Sequence, residues 1–125
     1  MIPLSSESPL TAFARFTHEW FQLLAHGQFA QAVAALDEPT SYGERWSADS
    51  IQHALRDYSP GAVVTDPGVL APDQYQSLIA FSDGRGYSFD CSVPLGGEWS
   101  DLTAQFQFLH RPYGFAVVLQ DIHVL

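Results

Sequence analysis

The chain has 125 residues, 46% hydrophobic and 14% aromatic, which excludes a disordered segment and allows one core without metal or disulfide staples. Its 14 acidic residues against 5 basic ones give a net charge of −9, which repels phosphate backbones and argues against nucleic acid as a partner. The single cysteine, Cys91, excludes an internal disulfide, and no apolar run approaches the ~18–20 residues of a membrane-spanning helix. All five basic residues are arginine; there is no lysine. No basic stretch followed by an apolar one opens the chain, so the expectation is a soluble cytoplasmic protein.

Residues 1–7 read as a loose lead-in. Ser8-Pro9 is a helix start, with serine as N-cap and proline in the first turn. Leu10, Phe13, Phe16, Trp20, Leu23 and Leu24 then recur at helical spacing, and Gly27 ends the helix. Phe29, Ala32, Val33 and Leu36 form the face of a short second helix, stopped by Asp37-Glu38-Pro39. Residues 40–46 connect it to a third helix, capped by Ser47, in which Ile51, Ala54, Leu55 and Tyr58 share a face.

After residue 61 the period changes to two. Ala62–Thr65 is a short strand candidate. Asp66, Pro67, Gly68 and Pro72 interrupt any continuous strand between residues 62 and 74. Tyr75–Phe81 reads as a strand, residues 82–86 as a hairpin loop, and Gly86–Val93 as the next strand. In that strand Tyr87, Phe89, Cys91 and Val93 lie on one face and Ser88, Asp90 and Ser92 on the other. Trp99–Leu125 is a long hairpin turning at residues 110–114. Leu102, Ala104, Phe106 and Phe108 alternate with Asp101, Thr103, Gln105 and Gln107, so the first set is expected to face the helices. An apolar hairpin of this length cannot stand alone in water. The expected fold is α+β, a single domain over residues 1–125, with three N-terminal helices packed on a strongly twisted antiparallel sheet that ends in the long hairpin.

The segment from Phe21 to Asp37, FQLLAHGQFAQAVAALD, carries a resemblance. A long first helix ending at glycine, then a short amphipathic helix ending in Leu-Asp, resembles the opening of the nuclear transport factor 2-like superfamily. That cone-shaped fold is shared with ketosteroid isomerase and polyketide cyclases. The closing hairpin fits the same order. Trp99–Thr103 and Asp121–Leu125 resemble a family-specific signature of small uncharacterised bacterial proteins. The resemblance implies a cone in which one sheet face lines a pocket and a carboxylate there acts as a base.

Three constellations could carry chemistry. Asp121 and His123, two apart on a strand, are expected to share a face with Phe115, Val117 and Leu119, as an acid–base pair or as a structural pair closing the sheet; the structural role is the expectation. Asp90 and Asp101, with Gln105 and Gln107 beside Asp101 and Ser88 and Ser92 beside Asp90, are either pocket polar groups or a solvated sheet face. Trp20, Tyr42, Trp46, Tyr58 and Trp99 suit a ligand pocket or a partner surface, with core packing the default for Trp20. The histidines at 18, 26, 53, 110 and 123 show no metal-ligand spacing, and no nucleotide fingerprint is present, so neither metal nor cofactor is expected. Cys91 reads as a buried, inert thiol.

Two functions follow. One is a small, acidic, non-catalytic protein that binds a basic protein partner. The other is a small-molecule binder or enzyme of the isomerase or cyclase kind, holding a small apolar ligand against a pocket carboxylate. A homodimer through the sheet is compatible with either. An open cavity floored by a carboxylate would separate them.

Overall fold

Ser8 opens the first helix of the protein. In the structure, a computed structural model describing residues 1–125, its hydroxyl accepts the Thr11 N–H at 3.2 Å and Pro9 occupies the first turn. Helix α1 runs Pro9–Ala25 and buries Phe13, Trp20, Phe21 and Leu24 along one face. Helix α2, Phe29–Ala34, is tied to it by the Trp20 indole, whose N–H donates to the Ala32 carbonyl at 2.9 Å. Helix α3, Ala48–Tyr58, starts with a reciprocal cap between Ser47 and Ser50, with serine where glutamate or glutamine is usual.

Five antiparallel strands follow the order β1-β5-β4-β3-β2 in one curled sheet. They are β1 Ile2–Pro3, β2 Gln76–Ala80, β3 Gly86–Leu95, β4 Glu98–Arg111 and β5 Gly114–Val124. Leu102, Ala104, Phe106 and Phe108 are all buried in the core, Phe106 and Phe108 against α1, as their alternation requires. Phe13 stacks flat on Phe108, with centroids 4.0 Å apart, and Trp20 meets Phe106 edge-on at 5.4 Å. The concave side is thus filled with aromatic rings. No helix is long and apolar enough to cross a membrane.

The lead-in departs from expectation. Ile2 is buried and Ile2–Pro3 pair with Phe115 and Gly114, but two residues carry no period to read. Ala62–Thr65 forms no strand. Val64 makes one bridge to Leu95, and the chain then enters a turn at Pro67–Val69 whose Gly68 N–H is held by the Asp66 carboxylate at 2.8 Å. Helix α2 also stops before Asp37, and the freed aspartate has another use.

Beyond β1, the outer edge of β5 is closed by parts that are not strands. The Asp37 carboxylate accepts the Val117 N–H at 2.8 Å, and the Asp37 N–H donates to the Val117 carbonyl at 2.8 Å. The Trp46 indole donates to the Leu119 carbonyl at 2.7 Å. Ser41 and Gln120 exchange two hydrogen bonds, of 3.0 and 2.6 Å. An open strand edge invites another chain, and here the segment from Asp37 to Trp46 occupies it.

Candidate functional site

The site is set by a single extra residue. Gln105 of β4 pairs with Asp121, but the next residue, Phe106, pairs with Leu119, so Gln120 is a bulge in β5. A one-residue shift exchanges the two faces of a strand. Val117 and Leu119 therefore point into the core, and after the bulge it is Ile122 that does so. Asp121 and His123 turn outward. This corrects the expectation that they share a face with Phe115, Val117 and Leu119.

The bulge brings two separate groups of candidates together. Across the outer face, Asp90, Gln105 and Asp121 form one cross-strand row, and Ser92, Thr103 and His123 form the next. Asp121 and His123 sit at the rim, their side chains 55% and 40% exposed. The His123 Nδ1 lies 3.0 Å from the Asp121 Oδ2 but is out of line for a hydrogen bond, so their contact is through space. The other Asp121 oxygen accepts the Ile122 N–H at 2.8 Å. Asp101 does not join them. Its carboxylate accepts the Tyr58 hydroxyl and ties the end of α3 to β4, and that bond holds the Tyr58 phenol above its ordinary value.

Asp90 is half-buried, and one of its oxygens has no hydrogen-bond partner; nor has the hydroxyl of Ser92 beside it. Burial pushes the Asp90 carboxyl above the usual carboxylate range, opposed by the Gln105 amide and by His123. The folded chain thus holds this proton more readily than the unfolded one. Its contribution to stability falls as pH rises from ~4, the ordinary aspartate value, through the raised folded value. Asp90→Asn is expected to stabilise the protein at pH 7 by about 1 kcal/mol, roughly 3–6 °C in Tm. The gain should disappear near pH 3.5. Thermal melts of both proteins across that range check it, and an equal gain at both pH values would sink the explanation.

Two adjoining depressions of ≈300 and ≈420 Å³ share Trp46, Ser50 and Asp121 as walls and together make one groove between α3, residues 40–46 and β5. Tyr42, 83% exposed, and Glu44 stand at one end, and Asp57, Tyr58 and His123 at the other. A ≈450 Å³ depression over α1 and α2 is larger but is walled by Phe16, Leu23 and the outer surface of α1, with no opposing strand. Of the two cross-strand rows, Asp121 and His123 reach the α3–β5 groove, and Asp90, Gln105, Ser92 and Thr103 do not line it.

Of the aromatic candidates, Trp46, Tyr42 and Tyr58 line this groove. Trp20 does not; its ring is 1% exposed and its N–H is taken by Ala32. Trp99 donates to the Ala71 carbonyl at 2.7 Å, on another side of the molecule. Sequence reasoning missed Glu44, Ser50, Asp57 and Gln120. The signal for two of them was legible: Ser50 and Asp57 are seven apart in α3, one face of a helix. Cys91 is fully buried, and burial pushes its thiol far above the usual range, which removes it as a nucleophile. No three His, Cys, Asp or Glu side chains converge as a metal site.

A family model described as a domain of unknown function, DUF7668, matches residues 21–125. The chain belongs to that family. The match takes in α2, α3, the whole of β2 to β5 and the groove, and leaves out β1 and the first part of α1. No curated protein and no solved structure matches the chain.

Proposed function

We propose that this DUF7668 member is a small, cytoplasmic, non-catalytic interaction protein that holds a basic segment of a partner protein in the α3–β5 groove. The observation that carries the reading is the groove's composition. Tyr42, Trp46 and Tyr58 offer ring faces, and Glu44, Asp57 and Asp121 offer three carboxylates against a single arginine, Arg45, around one open trough. Rings beside carboxylates suit an arginine or lysine side chain, which is attracted to both. The net charge of −9 adds long-range attraction for such a partner. The element order and curled sheet fit the cone of the nuclear transport factor 2-like superfamily.

The small-molecule reading has one observation in its favour, the half-buried Asp90 with its unpartnered oxygen. Asp90 lies on the outer face, however, while the concave side that a cone enzyme uses as its pocket is filled by Phe13, Trp20, Phe89, Phe106 and Phe108.

Titration calorimetry with an arginine- and lysine-rich peptide tests the proposal. Binding should weaken with added salt. Asp121→Asn and Tyr42→Ala should each reduce affinity by roughly 3–10-fold, and Asp83→Asn, the same charge change at a distant turn, should not. Equal losses for Asp121→Asn and Asp83→Asn would reduce the effect to bulk charge and end the groove proposal.

A further inference from the structure

The two edges of the sheet are treated differently. The β5 edge is closed by β1, Asp37 and Trp46. The β2 edge is not. The Phe81 N–H donates to Gly86 at 2.9 Å and the Ser92 N–H donates to Tyr75 at 3.1 Å, which fixes the hydrogen-bonding parity of β2 against β3. Tyr75, Ser77, Ile79 and Phe81 thus turn their backbone groups toward β3, because an antiparallel ladder alternates. Gln76, Leu78 and Ala80 turn theirs outward, and none of these groups meets an acceptor or donor elsewhere in the chain.

Proteins blunt such edges with lysine, proline, inward charges or a bulge. Here none is used. Residues 74–82, QYQSLIAFS, carry no charge and no proline, and the β2–β3 register is unbroken. Ile79 is 60% exposed and Tyr75 50%. In a chain of net charge −9, an uncharged stretch of this length is where two copies can approach without repulsion.

We infer that β2 is a self-pairing edge, on which a second copy of this chain docks its own β2 antiparallel to form one continuous sheet across a twofold axis. The observations select a copy over a foreign strand. The edge is apolar and neutral, so it offers nothing to choose the basic partner proposed for the groove. It is also complementary to itself. Placing Leu78 opposite Leu78 sets Gln76 opposite Ala80, and every outward backbone group is then paired. The same register sets Ser77 beside Ile79 on the outer face, with the two Ile79 side chains on the diagonal. It also sets Asp73 of one copy opposite Asp83 of the other at each end of the strand pair, where Arg85, already paired with Asp83, is the only nearby cation, so the charges at the ends weaken the dimer. One strand pair buries less than a standard interface, so the dimer is weak, with a Kd on the order of 0.1–1 mM.

Sedimentation over increasing concentration, with amide exchange read residue by residue, tests this on the full chain. The mass should rise from 13.8 kDa toward twice that value. The amides of Gln76, Leu78 and Ala80 should slow by ~10-fold or more as it does. Those of Ser77 and Ile79, bonded within the chain, should be protected at every concentration and report that β2 is intact. Ala80→Pro removes an outward N–H and leaves the β2–β3 ladder untouched; it should return the protein to monomer, as should Ile79→Lys. A monomer throughout with freely exchanging edge amides would overturn the inference. So would a dimer that survives Ala80→Pro, or edge protection that appears only when a basic peptide is added. None of these results depends on the groove.

Discussion

Phe106→Ala lowers the free energy of unfolding by about 3–5 kcal/mol. The ring is fully buried and sits where three groups converge. Trp20 meets it edge-on at 5.4 Å, Phe16 at 6.1 Å, and Phe108 lies nearly parallel at 5.8 Å. Its strand partners are Phe89 and Leu119. Trp20 is held to Ala32, and Phe108, Phe89 and Leu119 are fixed by the ladder, so of the five only the half-buried Phe16 is free to shift toward the space. The cost therefore combines lost transfer energy with a residual cavity. Denaturant unfolding measures it, and the slope with denaturant should stay as in the parent if the fold survives. A loss below ~1 kcal/mol would mean that the ring is exposed and that the hairpin register is wrong.

Gly86→Ala comes close behind, at about 3–5 kcal/mol. Gly86 starts β3 at φ +148°, pressed against β4 where it pairs with Leu109. A methyl group there would fall 2.9 Å from the Leu109 Cα and well inside contact with the Phe108 carbonyl oxygen. Both are backbone atoms beneath which α1 packs, so relief requires opening the strand pair. Gly84, in the same turn at φ +76°, has no atom within 4 Å of a built Cβ. Gly84→Ala should therefore cost only the left-handed backbone strain, about 1–2 kcal/mol. Thermal or urea unfolding of the two variants separates clash from strain, and equal losses would show that the close approach does not govern the site.

The hairpin and the helices were legible because their signals are local. Ser8-Pro9, Ser47 and Gly27 mark helix ends through groups a few residues away, and the alternation from Leu102 to Phe108 needs only the strand itself. The candidate site was legible in its residues and not in its geometry. Asp121 with His123 and Asp90 with Gln105 stand as two unconnected groups in the sequence because nothing in the run VVLQDIHVL announces a bulge. A bulge is decided by how β5 fits β4 and by what seizes its edge, here Ser41 and Trp46 from a distant connection. Asp37 reads locally as a helix stop for the same reason. Its partner, Val117, is far away in sequence, and no local pattern links a carboxylate to an N–H in the last strand.

The stacking of Phe13 on Phe108 and the capture of Val117 by Asp37 join the start of the chain to its last strands. On the ribosome this has a consequence for timing. Helices α1 and α2 leave the exit tunnel with their apolar faces bare, and the strands that cover them are made after them. Folding must therefore wait until β4 and β5 have emerged. Until then Phe13, Trp20 and Phe21 are bait for chaperones, and the uncharged β2 strand is already exposed beside them.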